Sequence, residues 1–369
     1  MFSNYQVTSK KRLYNQWVAN ETMEDFALRF TARRARRWSN MRVANTAIGS
    51  ISFLALEAIG AALTLTYGYD TAISAILFVG ALLFISGLPI SYYAARHGVD
   101  IDLLTRGAGF GYIGSTITSL IYASFTFIFF ALEAAILALA LEFCFGIPIL
   151  LGYMISALVV IPLAANGMSR ISSFQAWTQP LWVVLHLLPF ILLGIAGYDF
   201  QAWSGFVGSA EADGGPRLLL FGAATGVVFA LMAQIGEQVD YLRFLPEPRT
   251  RAGRRSWWTA LVRAGPGWAV LGVIKMLAGS YLVTLALGEG VPRADATDPA
   301  WMYNVAFNQV VPWPELALLL TGAFVILSQL KINVTNAYAG SIAWSNFFSR
   351  LTHSHPGRAV WLVFNVSIA

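Results

Sequence analysis

The sequence predicts an all-helical integral membrane protein, and its composition and hydropathy pattern are the two observations behind this prediction. Of the 369 residues, 57% are hydrophobic and only 12% are charged, and the mean hydropathy is +0.62. Soluble domains carry about 25% charged residues. The hydrophobic residues also form long runs, and several of these reach the roughly 20 residues that a helix needs to cross the hydrocarbon layer. A lipid bilayer is therefore the predicted environment of most of the chain.

Eight apolar runs are predicted to be membrane spans, at residues 44–67, 71–95, 115–143, 147–166, 177–197, 218–239, 266–288 and 313–337. A ninth run follows Arg358 and reads AVWLVFNVSIA, which is too short to cross a bilayer. We therefore expect the sequence to be the front part of a longer product. It would consist of a basic N-terminal segment at 1–42 and a truncated transmembrane domain at 43–369.

The positions of lysine and arginine predict the orientation, because basic loops are retained in the cytoplasm. Of the 24 basic residues, 20 fall on the side of the N-terminus, and only Arg217 and Arg293 fall on the opposite side. Lys275 and Lys331 lie within spans. We expect a multi-pass protein of the bacterial inner membrane with a cytoplasmic N-terminus. This topology accounts for the net charge of +5, so no nucleic-acid partner is predicted.

Neither a metal site nor a disulfide is predicted, because Cys144 is the only cysteine. The sequence also contains no catalytic constellation and no cofactor motif in the required context. Candidate functional residues are instead the polar side chains inside spans, because a charged group at the centre of a membrane helix costs about 2.5–3.5 kcal/mol on insertion scales.

Glu57 lies in span one between Gly49 and Gly60, and these glycines would permit a broken helix. Two interpretations of this carboxyl group remain open. It belongs either to a substrate or cation site near the break, or it is a neutral acid that is hydrogen-bonded inside the bundle.

Glu133 follows the aromatic stretch YASFTFIFF in span three, and Phe129 precedes it by one helical turn on the same face. An aromatic ring beside a hydrogen-bonding group suits a flat polar heterocycle, although aromatic stripes also serve packing. In span six, Gln234 and Glu237 flank Gly236 and are further candidates for the site. Lys275 is interpreted as a buried group with one partner on a neighbouring helix, such as a span glutamate.

Three segments resemble the nucleobase:cation symporter-1 (purine-cytosine permease) family: SYYAARHGVDIDLLTRGAGFG, QVDYLRF and NAYAGSIAWSNFF, in this order. The family includes cytosine permeases and hydantoin, allantoin and purine transporters, and the resemblance covers roughly residues 40–369. It implies a leucine-transporter-like fold, in which spans one to five and six to ten form an inverted repeat with spans one and six broken. The sequence would hold eight spans and the start of the ninth.

The resemblance also implies roles for single residues. Phe129 matches the span-three aromatic residue, usually tryptophan, that stacks on the substrate, and Glu133 falls on the polar position one turn later that hydrogen-bonds it. Asn336 matches a span-eight asparagine that contacts substrate. Lys331 falls where sodium-dependent members place a hydroxyl residue on the coupling ion.

An ammonium group at the position of Lys331 would repel sodium and occupy the place of the cation. It would either replace the ion permanently or titrate and couple transport to protons, because buried lysines lower their pKa readily. The alternative is that Lys331 snorkels or pairs with a glutamate without any coupling role.

A second resemblance concerns the leader YNQWVANETMEDFALRFTARRARRWSNMRVANTAIGS and the segment LKINVTNAYAGSIAWSNFFSRLTHSHPGR. Both are similar to the membrane input region of bacterial hybrid sensor histidine kinases, where a permease-like module precedes the kinase and receiver domains. This resemblance implies two-component signalling, with a fused or partner histidine kinase encoded beyond Ala369. The sequence therefore supports two hypotheses, a transporter of a small-molecule solute and a solute-sensing input domain.

Overall fold

The computed structural model describes residues 30–197, 200–248, 250–353 and 356–369. Apart from one isolated bridge between Phe30 and Val99, the secondary structure of these ranges is helical. The helices are α1 (Asn40–Gly49), α2 (Ala55–His97), α3 (Ile101–Thr105), α4 (Gly111–Phe145), α5 (Ile149–Leu158), α6 (Ile161–Ala165), α7 (Met168–Ala196), α8 (Gln201–Ser204), α9 (Ser209–Ala212), α10 (Arg217–Phe229), α11 (Gln234–Leu242), α12 (Arg251–Ala264), α13 (Gly267–Gly288), α14 (Pro299–Val310), α15 (Pro314–Thr352) and α16 (Arg358–Ile368).

The predicted all-helical membrane architecture is confirmed. Six helical stretches of the described chain are long and apolar enough to cross a membrane. The difference from eight predicted spans has two causes. Span four consists of the short helices α5 and α6, neither of which is long enough to be counted. Span one is divided between α1 and the first part of α2, and the rest of α2 is span two, so the two spans count as one stretch. Gly68, with φ 79°, marks the turn from span one to span two inside α2.

Spans one and six are both interrupted, as the family resemblance implies. Residues 50–54 separate α1 from α2 and are not helical. In span six, a 3-10 turn at Ala230–Ala233 separates α10 from α11. The gap in span one leaves backbone N–H and C=O groups without helical partners, and these groups must bond elsewhere or be left free for a ligand. The 3-10 turn of span six keeps its backbone hydrogen bonds and changes only the helical geometry.

The sequence-based bounds of spans five and eight are wrong at one end each. Helix α7 begins at Met168 rather than at residue 177, and α15 continues to Thr352 rather than ending at residue 337. The hydropathy of both segments falls where polar residues occur, which limits the predicted spans. These polar residues are buried against other helices, and the helical backbone continues through them. Lys331 and Asn336 therefore lie in the middle of a long helix.

Close packing of span one against span seven positions part of the site. A Cβ atom at Gly60 would overlap the backbone of Met276, and one at Gly279 would overlap the backbone of Glu57. Small residues at such a crossing let two membrane helices approach closely. As a result, Glu57 and Lys275, which lie one helical turn before these glycines, meet across the interface.

The two ends of the bundle differ in charge. We call the end that holds Arg33–Ala35, α12 and the last turn of α15 the basic end. The opposite end holds α8, α9 and α14. The predicted boundary between an N-terminal segment and the membrane domain at residue 42 stays a prediction, because residues 1–29 lie outside the described ranges.

Candidate functional site

Side chains from spans three and eight cap the break in span one. The backbone N–H of Ala55 donates to Glu133 Oε1 at 3.3 Å, and the N–H of Leu54 donates to Gln329 Oε1 at 3.4 Å. The first N–H groups of a helix have no partner within the helix, so side-chain acceptors stabilise it. Glu133 and Gln329 therefore hold the start of α2 in place.

Glu133 itself is fully buried and bonded to span eight. Gln329 Nε2 donates to Glu133 Oε2 at 2.6 Å and to the Glu133 backbone carbonyl at 3.2 Å. The carboxyl group thus connects α2, α4 and α15 through two hydrogen bonds from opposite sides. Any solute that bonds to this group has to share or displace one of them.

Phe129 provides an aromatic wall next to the same break. Its side chain is half-buried, and it lies one helical turn before Glu133. The ring centroid is 6.1 Å from that of Phe53 in the break, with the two planes perpendicular, and 4.5 Å from that of Phe125. The ring and the carboxyl group share a helix face, as the sequence predicts.

The break in span six has its own polar cluster. Gln234 Nε2 donates to Glu237 Oε2 at 2.8 Å, and the Tyr241 hydroxyl donates to Glu237 Oε1 at 2.6 Å. Ser50 in the break of span one and Thr335 of span eight lie beside the same carboxyl group. Glu237 therefore stands where the two broken spans meet span eight.

One face of α15 presents three amide side chains. Gln329, Asn333 and Asn336 follow at i, i+4 and i+7, so they share a face, and the Gln329–Glu133 bond shows that this face is turned to α4. Asn333 and Asn336 are both buried. Within the described ranges, Oδ1 and Nδ2 of Asn333 and Nδ2 of Asn336 have no hydrogen-bond partner. Buried amides without partners are rare in folded proteins. This face therefore has unused donors and an unused acceptor.

Lys331 points toward span five instead. Its ammonium group is fully buried and donates to Thr178 Oγ1 at 3.1 Å and to the Gln175 carbonyl at 3.3 Å. The ion pairs of the described residues do not include Lys331, so the alternative in which it pairs with a glutamate is wrong. Because a Cβ atom at Gly49 would overlap the Gln175 side chain, this region also adjoins the end of α1.

Glu57 belongs to a buried charged network. Lys275 Nζ lies 2.6 Å from Glu57 Oε1 and also donates to the Ser52 carbonyl in the break at 3.5 Å. The Tyr303 hydroxyl of α14 donates to Glu57 Oε1 at 3.2 Å and lies 3.1 Å from His186 Nδ1. The prediction that Lys275 balances a span glutamate is thus confirmed. Glu57 is thus ion-paired inside the bundle, which differs from the neutral acid of the second interpretation, and its role in a solute site stays a prediction.

Several residues of this site are not predicted from the sequence, among them Gln329, Asn333 and Tyr303. The spacing of Gln329 and Asn333 from Asn336 places them on one helix face, and this signal would have identified both. Tyr303 has no such signal, because it lies between predicted spans seven and eight, and only the packing of α14 brings it to Glu57.

The sequence matches no protein-family model and no curated protein. Solved structures do resemble the chain. Mhp1, a nucleobase-cation-symport-1 family transporter in a closed conformation with bromovinylhydantoin bound, aligns with a TM-score of 0.65 at 16% identity, over 94% of this chain and 74% of that chain. The inward-facing conformation of Mhp1 aligns with a TM-score of 0.60 at 18% identity, over 89% of this chain and 69% of that one.

A further similar structure is that of a Na+-coupled sialic acid symporter in a substrate-bound outward-open state. Its TM-score is 0.59 at 14% identity, with 96% of this chain and 74% of that chain covered. The TM-scores establish the shared fold, whereas sequence identities this low do not identify the solute. The chain is therefore a multi-pass membrane protein with the leucine-transporter-like fold of these symporters.

Proposed function

We propose that the chain is a permease module that binds a small, planar, nitrogen-rich solute of the nucleobase kind and moves it by proton-coupled secondary transport. The observation that supports this most is the arrangement around the two broken spans. An aromatic ring, two buried carboxyl groups and amides without partners surround the point where spans one and six are interrupted. Secondary transporters bind their substrates at such breaks.

In this proposal, Phe129 stacks on the solute ring and Glu133 accepts a hydrogen bond from a ring N–H. Asn336 and Asn333 offer both a donor and an acceptor, which complements the adjacent N–H and C=O groups of a lactam or ureide edge. Gln234 and Glu237 hold the break of span six beside the solute. Glu57 acts through the backbone of the span-one break, which its partner Lys275 contacts at Ser52.

Lys331 is proposed to replace the coupling cation. Its ammonium group is buried between spans five and eight, next to the end of α1, with only neutral oxygen acceptors. Proton release from Lys331 in one conformation and uptake in the other would couple solute movement to a proton gradient, whereas sodium would be repelled.

The distribution of basic residues supports a bacterial inner-membrane location with the basic end in the cytoplasm. The alternative function, a solute-sensing input domain of a hybrid histidine kinase, would use the same pocket and convert helix movement into kinase control. The proteins that the chain resembles are transporters, so we favour transport.

The experiment that tests the proposed function is a binding and uptake screen on the purified protein. Thermal unfolding would be followed with cytosine, uracil, adenine, allantoin and 5-substituted hydantoins, with sialic acid as an unrelated solute. A solute that stabilises the protein would then be tested for uptake into proteoliposomes with an imposed proton or sodium gradient. Stabilisation by sialic acid alone, or no response to any planar heterocycle, would contradict the proposal.

Replacing Glu133 by alanine should weaken solute binding at least tenfold, because the substitution removes an acceptor for a solute N–H group. Glu133→Gln should retain part of the affinity, because its amide oxygen still accepts. The matched control is Glu142→Ala, which removes an exposed carboxylate from the same helix. Solute affinity would be measured by isothermal titration calorimetry. Equal affinity of the Glu133→Ala variant and the parent protein would remove Glu133 from the site.

Replacing Asn333 by alanine should separate stability from function. The empty protein should keep its melting temperature or gain slightly, since a buried amide without partners is removed. Solute affinity should fall by about tenfold, the loss of roughly 1.4 kcal/mol. Asn308→Ala, which replaces an exposed amide of helix α14, is the control. A large loss of stability with unchanged affinity would show that Asn333 serves packing alone.

A further inference from the structure

Helix α12 joins spans six and seven at the basic end and is amphipathic. Its buried face consists of Trp257, Ala260, Leu261 and Ala264. The opposite face is exposed and carries four arginines, at positions 251, 254, 255 and 263. The proposed solute site leaves this charged surface unexplained.

The first turns of α12 line one side of an open surface depression, which we call the groove, and its lining residues all belong to this helix. The groove has a volume of about 960 Å³ and is lined by Arg251, Ala252, Arg254, Arg255, Trp258 and Thr259, with no acidic residue. A second cavity of about 650 Å³ shares Arg254 and Trp258 with it. The acid in that second cavity, Glu247, is already paired with Arg33 at 2.7 Å.

The three groove arginines are unfavourably placed for an empty protein. They lie in the first turns of α12, where the helix dipole disfavours cations, and like charges repel one another within the groove. Within the described ranges, no carboxylate forms an ion pair with Arg251, Arg254 or Arg255. A bound anion would interact favourably with the helix N-terminus and would offset the repulsion among the arginines. The charge of the groove therefore favours an anionic ligand.

A fixed aromatic group forms one wall of the groove. The Trp258 ring stacks on Tyr92 with a centroid distance of 5.6 Å and an interplanar angle of 13°. Arg96 donates to the Tyr92 hydroxyl at 2.8 Å, which holds the tyrosine in turn. Trp258 nevertheless remains 41% exposed. Tryptophan and tyrosine concentrate at the headgroup level of membranes, so an exposed Trp258 stacked on Tyr92 is typical of that level.

The groove also opens beside a surface that faces lipid. Phe78, Leu82 and Ile85 of α2 are 49%, 38% and 66% exposed, and their spacing places them on one helix face. This apolar stripe leads to Tyr93, which is 52% exposed and adjoins Tyr92 with a centroid distance of 5.4 Å. An anionic lipid bound in the groove could cover this stripe with its acyl chains, whereas a soluble anion could not.

We propose that the groove formed by Arg251, Arg254, Arg255 and Trp258 binds the phosphate headgroup of an anionic phospholipid in the leaflet at the basic end. The guanidinium groups bond the phosphate oxygens, an arrangement in which arginine is especially effective. The acyl chains lie along the exposed stripe of α2. Clusters of basic residues on an amphipathic helix at the cytoplasmic surface recognise anionic lipids in this way.

The test is lipid binding by the purified protein in neutral detergent micelles, measured by native mass spectrometry. Phosphatidylglycerol is the probe and phosphatidylcholine the neutral comparison. The triple variant R251Q/R254Q/R255Q should bind phosphatidylglycerol at least tenfold more weakly than the parent protein, with phosphatidylcholine binding unchanged. The variant R251K/R254K/R255K keeps the charge but loses the planar guanidinium groups, so its binding should fall between that of the parent and that of the glutamine variant.

The control is the triple variant R34Q/R37Q/R170Q, which removes the same number of exposed charges from the basic end outside the groove. It should leave phosphatidylglycerol binding within about threefold of the parent value. The proposal is overturned if the groove variant binds phosphatidylglycerol like the parent, or if the control variant loses as much binding. It is also overturned if millimolar inorganic phosphate displaces the lipid, because the groove would then be a soluble-anion site.

Discussion

Replacing Lys275 by methionine should destabilise the protein by about 3–5 kcal/mol, the usual cost of removing one partner of a buried ion pair. The fully buried Glu57 would then lose its charged partner and keep neutral donors such as the Tyr303 hydroxyl, and the Ser52 carbonyl in the break would lose its contact with the ammonium group. Thermal unfolding in detergent, followed by tryptophan fluorescence, would measure the effect as a large fall in melting temperature.

The double variant Glu57→Leu/Lys275→Met is the decisive control for this prediction. Replacing both partners of a buried ion pair by apolar residues of similar volume is often neutral or stabilising. The double variant should therefore recover most of the stability that the single variant loses. If it remains as unstable as the single variant, the methionine acts by disturbing the packing of α13 against α2 and not by leaving a charge unpaired.

Replacing Lys331 by serine should change the ion dependence of solute binding. The substitution removes the buried ammonium group and places a hydroxyl where sodium-dependent members of the family that the chain resembles hold one. We expect the variant to bind solute at least tenfold more tightly in sodium than in choline buffer, equivalent to about 1.4 kcal/mol. Its affinity should also depend less on pH than that of the parent protein. Solute titrations in sodium and choline buffers across a pH series would measure both effects.

Two further variants separate the charge of Lys331 from its surroundings. Lys331→Met removes the charge without adding a hydroxyl, so it should lose the pH dependence and gain no sodium dependence. Thr178→Val removes only a neutral acceptor of the ammonium group and should leave the choice of ion unchanged. Unchanged sodium and pH dependence in Lys331→Ser would mean that the lysine has no coupling role.

The central polar residues show how far local patterns reach. Glu133, Lys331 and Asn336 can be selected from the sequence because a polar side chain inside an apolar run is costly and hence informative. The glycines of span one permit a break there, whereas the break in span six is implied only by the family resemblance. What a run of residues cannot reveal is the partner of each polar group. Glu57 is equally compatible with a cation site and with a neutral acid until Lys275 is placed beside it.

The sequence by itself determines the membrane environment, the number and order of the spans, the charge difference between the two ends and most of the candidate polar residues. These properties depend on hydropathy and on spacing within one helix, which are local. Only the tertiary structure decides that Lys275 pairs with Glu57 across 218 residues, that Gln329 bonds Glu133 across 196, and that Lys331 points to Thr178 across 153. The physical reason is that every buried polar group needs a partner, and several partners are possible until the packing of the helices selects one.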